Sequence, residues 1–408
     1  MPFPTENTPP LLPFPDAPAP PLSPAEDLEA AFTRYEKPEP PRWRRYLLHL
    51  GLFLITLATT TLAGAEWMTG KFTFGAPGLA AAEVQQGLWF SLPFLGVLAV
   101  HEFGHYFTAR HNGVRATLPF FIPFFTGYFN TIGTFGAVIR IKDRIFSRRE
   151  FFDIGLAGPL AGFLVAVPVL VYGFTHLPPL DYLFQVHPDY RQYGADYAQY
   201  VYRDGQGMAL AQPLLYQGLE YLFADPTRLP HPNELMHYPV LMAGALALFF
   251  TALNLLPIGQ LDGGHILYGL LGARRFNRLS AGLFVAFIFY AGLGLFSLQS
   301  DKQQWLYWGL PYFAYLFLVL RRAVPTPRRA LFLSLGIWAA QLACTVAWPG
   351  IFGNPGWLVF GLILSRVMGI FHPAAPDESP ISTRRKVLGW LMLAIFVLCF
   401  TPSPFRFM

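Results

Sequence analysis

The sequence predicts an all-α polytopic membrane protein with about eight or nine transmembrane helices and a small membrane-associated β-hairpin near residues 117–141. Three observations carry that prediction. Of 408 residues, 53% are apolar and only 13% are charged, against roughly 25% charged in a typical soluble domain. The apolar residues gather near 46–65, 88–109, 153–174, 239–258, 279–297, 304–320, 329–348, 356–371 and 386–402. Several of these stretches approach the ~20 residues that cross a hydrocarbon core. None repeats a polar face every 3.6 residues, as the amphipathic helices of a soluble protein do. The same figures exclude other classes. A disordered chain carries more charge and fewer aromatics than the 17% found here. A disulfide scaffold needs many more than two cysteines.

The basic residues set an orientation. With the N-terminus cytoplasmic, 23 of the 29 Lys and Arg fall on inner segments, as the positive-inside rule requires. The net charge of +5 is thereby explained without nucleic acid.

The elements follow in order. Residues 1–41 form a proline-dense cytoplasmic tail, which favours polyproline II and forbids a packed core. Arg42, Arg44 and Arg45 mark the membrane entry. The second span ends in the string Ala99 to Tyr106. From Thr117 to Ile141 the sequence is rich in aromatic and β-branched residues and is interrupted by Pro119, Pro123, Gly127, Gly133 and Gly136. That pattern reads as short strands or a re-entrant hairpin. Irregular backbone at membrane depth needs a covering of protein or a water-filled cavity, so a cavity is expected nearby. In the third span Gly155, Gly158 and Gly162 make a small-residue face for a closely packed neighbour. Residues 175–238 are a polar, net acidic insert with nine tyrosines, expected to fold as a small cap on the outer side. Residues 42–272 then form a core, and 273–408 add further transmembrane helices.

Few residues in such a chain can do chemistry. His101-Glu102-Phe103-Gly104-His105 is an H-E-x-x-H string. On a helix, i and i+4 share one face, so the two imidazoles can share a metal, and Glu102 beside them can take a proton from water that the metal activates. Catalytic zinc usually has three protein ligands. His111 follows His105 by six residues, but a continuing helix turns it about 120° away, and it reads as an interface residue. Asp262 is the better third ligand. It lies in Asn254-Leu255-Leu256-Pro257-Ile258-Gly259-Gln260-Leu261-Asp262-Gly263-Gly264-His265, where Pro257 and Gly259 break the helix and a carboxylate needs a cation or donor. The competing reading of Asp262 is a helix cap. Asn254 either orients a substrate carbonyl or bonds unwound backbone. His265 reads as a helix-face histidine, with a supporting place beside the ligands as the other reading.

HEFGH within one span and NLLPIGQLDGGH in a later one resemble the site-2 proteases, the intramembrane zinc metalloproteases. GTFGA at 133–137 is similar to the strand region of the branch that includes the plastid EGY proteins. The resemblance covers about residues 88–272. It implies His101, His105 and Asp262 as ligands of one Zn2+ per chain, Glu102 as general base, and Asn254 as a further catalytic residue. It also implies a single-span membrane protein as substrate, held as an extended strand along Gly133, Thr134, Phe135 and Gly136. The site would lie near the cytoplasmic side of a multi-pass protein. Two departures stand out: the insert holds no PDZ-like domain, and the spans after Arg321 exceed the six of the family core. An inactive binding or chaperone protein, or a metal-dependent transporter, would be the alternatives.

Overall fold

Long apolar runs without proline or glycine pairs fold as helices, because only a helix satisfies its own backbone in an apolar setting. The computed structural model describes residues 41–202 and 208–407, so the expected tail, apart from Pro41, lies outside the described residues. The described residues from His49 onward pack as one compact unit.

Helix α1 runs over Arg42–Thr69. A short helix, Ala81–Gln86, leads into α2, Leu88–His111. After a β-hairpin comes α3, Arg148–Thr175, opened by a capping box in which Ser147 and Glu150 each bond the other's backbone. The cap over 175–238 is folded from short pieces: helices at Asp181–Val186, Tyr197–Val201 and Leu214–Phe223, and 3-10 turns at Pro188–Asp196 and Pro232–His237. Helices α4, Pro239–Asn254, and α5, Asp262–Leu271, are separated by the expected break around Pro257 and Gly259. Then follow α6 (Ala273–Ala291), α7 (Leu310–Leu320), α8 (Pro327–Ala347), α9 (Gly356–Ile363) and α10 (Thr383–Cys399).

Four segments are long and apolar enough to cross a membrane: Arg42–Thr69, Ala81–His111, Arg148–Thr175 and Pro327–Ala347. The other apolar stretches give shorter or more charged helices. α4 stops at Asn254, before Pro257. α6 opens with Arg274, Arg275 and Arg278. The stretch at 304–320 begins in a π turn, Trp305–Gly309, and that at 356–371 ends in another, Leu364–Met368.

The hairpin is present and small. β1 (Phe120–Pro123) pairs antiparallel with β2 (Thr134–Val138), Phe120 opposite Val138 and Phe121 opposite Ala137, with an irregularity before Pro123. α1 holds it in place. His49 Nδ1–H donates to the Pro119 carbonyl at 3.0 Å, Thr59 Oγ1 to Gly133 O at 2.7 Å, and Trp67 Nε1 to Thr131 O at 2.7 Å.

The main apolar core joins α2, α3 and α4 through Phe90, Phe94, Phe152, Leu170, Leu241 and Leu246. The last helix returns to it. Met392, Ile395 and Cys399 of α10 lie in that core, and Arg385 grips Asp153 of α3 with Nε at 2.7 Å and Nη2 at 2.8 Å. Two further strands, β3 (Met208–Leu210) in the cap and β4 (Phe405–Phe407), pair antiparallel. A second core packs α6, α7 and α9 around Phe284, Ile288, Leu316 and Trp357.

Candidate metal centre

The H-E-x-x-H string sits well inside α2, so His101 and His105 project from one face, one turn apart. Their Nε2 atoms are 3.1 Å apart. Asp262, in the first turn of α5, brings Oδ2 to 3.3 Å from each. Leu261, not Asp262, occupies the capping position of α5, so the carboxylate is directed at the imidazoles and the capping reading falls away. His101, Glu102 and His105 are only 5%, 6% and 7% exposed.

Local sequence explains the convergence. The chain must turn sharply after Asn254 and come straight back, and a side chain at Gly263 would collide with the Leu255 carbonyl. The glycine face of α3 has a more specific neighbour than a generic helix. Gly158 lies against the His105 ring, and a Cβ there would overlap it; a Cβ at Gly162 would sit 3.1 Å from the His101 Cβ. Small residues let α3 close over both imidazoles. Since a carbonyl only accepts, the 2.7 Å contact from His105 Nδ1 to Ile154 O puts the proton on Nδ1. That fixes the tautomer and turns the Nε2 lone pair toward Asp262.

Two buried imidazole nitrogens and one half-buried carboxylate oxygen are a donor set that fits a zinc ion with one position left over. Glu102 Oε1 is 4.0 Å from His101 Nε2, beside the triangle and outside it. Asn254, at the end of α4, holds Nδ2 3.3 Å from His101 Nε2. His111 is exposed at the end of α2 and takes no part. His265 is directed elsewhere, with Nδ1 2.8 Å from His372 Nε2.

The sequence model of peptidase family M50 matches residues 89–298. The chain belongs to peptidase family M50. This M50 chain is 30% identical over 254 residues to "Probable zinc metalloprotease EGY1, chloroplastic" of Oryza sativa subsp. japonica, covering 58% of the chain and 40% of that protein. It is 28% identical over 250 residues to the Arabidopsis thaliana protein of the same name, covering 58% and 42%. With "Probable zinc metalloprotease EGY2, chloroplastic" of Oryza sativa subsp. indica it shares 28% over 203 residues, covering 48% and 32%. The M50 chain thus spans less than half the length of these relatives. No solved structure matches it.

Beside residues 117–141 of the M50 chain lies a cavity, as the irregular backbone there predicts. It has a volume of about 1170 Å³ and is lined by Thr134 and Phe135 of β2, Thr131, Asn233 of the cap and Phe250 of α4. Phe250 also borders the narrow crevice that holds His101 and Asn254, so this side chain stands between the cavity and that crevice. Thr131 Oγ1 and both amide atoms of Asn233 are buried without a hydrogen-bond partner among the described residues. Buried polar atoms are normally hydrogen-bonded. No local pattern at Thr131 or Asn233 announces these unpartnered atoms, because the cavity is made by segments far apart in the chain.

Proposed function

We propose that this chain is an intramembrane zinc endopeptidase that hydrolyses a peptide bond in a membrane-spanning substrate protein. The observation that carries the reading is the His101–His105–Asp262 triangle, with Glu102 beside it and both histidines buried on a segment apolar enough to span a bilayer. The named relatives, zinc metalloproteases, support it.

His101, His105 and Asp262 would hold one zinc ion per chain. When bound, zinc supplies Lewis acidity that lowers the pKa of a water and polarises the scissile carbonyl. Glu102 takes the proton of the attacking water and delivers it to the departing amide nitrogen, as the C–O bond forms and the C–N bond breaks. Asn254 donates its amide to the substrate carbonyl. A substrate helix has its carbonyls bonded internally, so it must unwind before attack. The β2 segment with Gly133, Thr134, Phe135 and Gly136 offers an extended template for it, and Phe135 is 65% exposed there. Thr131 and Asn233 then hydrogen-bond the unwound backbone inside the cavity.

The positive-inside pattern supports a cytoplasmic N-terminus and a centre near that side. Counting the shorter helices as crossings gives about eight or nine spans. Residues 42–272 act as the catalytic unit, residues 175–238 as its outer cap, and residues 273–408 as an added membrane unit.

The test is Glu102→Gln. It should retain zinc and lose at least about 100-fold in cleavage. Comparative proteomics of membranes carrying wild-type or variant protein should show a single-span protein accumulating only with the variant. Undiminished cleavage by Glu102→Gln overturns the assignment.

A further inference from the structure

The cap contains a second triangle built like the first. Pro232–His237 is a 3-10 turn, whose residues i and i+3 eclipse, so Glu234 and His237 point the same way. His187, just past the helix Asp181–Val186, reaches the same point from the other side of the cap. His187 Nε2 and His237 Nε2 are 3.1 Å apart. Glu234 Oε2 lies 3.6 Å from the first and 3.4 Å from the second. These separations nearly repeat the 3.1, 3.3 and 3.3 Å of the centre on α2.

The surroundings repeat as well. His237 Nδ1–H donates to the Met68 carbonyl at 2.9 Å, as His105 Nδ1–H does to Ile154. That turns the His237 Nε2 lone pair inward. The other carboxylate oxygen of Glu234, Oε1, accepts a short hydrogen bond from the Tyr202 hydroxyl. Oε2 is thus left for the triangle. The Glu234 side chain is 1% exposed and that of His187 31%, so the cluster is buried at its base and open at one edge.

With both imidazoles neutral and the carboxylate ionised, hydrogen bonding alone does not satisfy this arrangement. A single proton on His187 Nε2 serves either His237 Nε2 or Glu234 Oε2, not both, and the acceptor left over is buried. A divalent cation serves all three lone pairs at once. We infer that His187, Glu234 and His237 form a second metal site, taking a first-row divalent cation, zinc foremost. Two imidazoles and a carboxylate suit zinc over magnesium or calcium. The ion would clamp the cap to the end of α1 through His237 and Met68. It would also fix Asn233, the neighbour of Glu234, in the wall of the cavity.

The test uses the full chain purified in detergent, stripped with a chelator, reloaded with zinc chloride, desalted and counted by elemental analysis. Wild type should hold about two ions per chain. His101→Gln with His105→Gln should hold about one, and adding His187→Gln should remove it. Zinc should raise the thermal midpoint of the first variant and leave that of the second unmoved. A His101→Gln, His105→Gln protein that binds no zinc overturns the inference, as does a His187→Gln protein that still holds two. Should His187→Gln fail to fold, the count on the first variant alone decides. None of these readings depends on proteolysis.

Discussion

Gly158→Ala tests whether α3 is shaped around the metal centre. The new Cβ would fall well inside the 3.0 Å that real Cβ atoms keep from their neighbours, and its neighbour is the His105 ring. Carbon atoms settle at about 3.5–4.0 Å, so ring or helix must give way by roughly 1 Å. The ring has little room, since it is 7% exposed and tied to Ile154 O at 2.7 Å. Zinc–ligand distances tolerate only about 0.2 Å. Zinc affinity should therefore fall by about 10–100-fold, or 1.4–2.8 kcal/mol, the range seen when groups supporting metal ligands are altered. Gly162→Ala places its Cβ 3.1 Å from the His101 Cβ and should cost less than about tenfold. Gly96→Ala on α2 meets nothing within 4 Å and serves as the control. The assay is competition for zinc against a chromophoric chelator, with apo-protein unfolding followed in parallel. A Gly158→Ala protein whose affinity lies within about twofold of the control refutes the idea that the glycine face exists to admit the imidazole.

Thr131→Val removes a buried, unpartnered hydroxyl. The substrate-free protein should gain roughly 1 kcal/mol of stability in thermal unfolding, while cleavage weakens about 3–10-fold through KM. Arg385→Ala breaks both guanidinium bonds to Asp153 and leaves only Arg149, at 3.6 Å. A loss of about 1–2 kcal/mol is expected, given the partial exposure of both side chains, and differential scanning fluorimetry reads it. Gly133→Ala forces a Cβ onto a backbone with φ +84° and against Thr60 of α1. It should destabilise by roughly 1–3 kcal/mol and loosen the hairpin, visible as faster amide exchange across β2.

The sequence was most legible where chemistry is local. The i, i+4 spacing of His101 and His105 dictates a shared face, and the structure sets their Nε2 atoms 3.1 Å apart. The break at Pro257 and Gly259, followed by Asp262, reads as a returning chain with a carboxylate at its tip, and the carboxylate arrives at 3.3 Å. Aromatic and β-branched residues punctuated by Pro and Gly announced the hairpin, though its strands are only four and five residues long. Legibility ended where partners are distant. Smallness at Gly155, Gly158 and Gly162 was visible; that imidazoles face Gly158 and Gly162 was not. His265 meets His372, 107 positions away, and no local pattern links them. The Glu-x-x-His spacing at 234–237 was a local signal, but it pairs residues only on a helical or 3-10 turn, and hydropathy does not distinguish a short polar turn of that kind from a loop. Hydropathy likewise counts apolar residues without seeing where α4 stops or where π turns interrupt the later stretches.

The return of α10 to the first core has a consequence in time. A ribosome releases the H-E-x-x-H helix long before it makes Thr383–Cys399, the helix whose Met392, Ile395 and Cys399 complete the packing over α3 and α4. At about 5–20 residues per second, the interval is roughly 15–60 s. During that interval Asp153 lacks Arg385 and one face of the core stands bare. The packing of the core behind α3 and α4 is therefore complete only once α10 has been made.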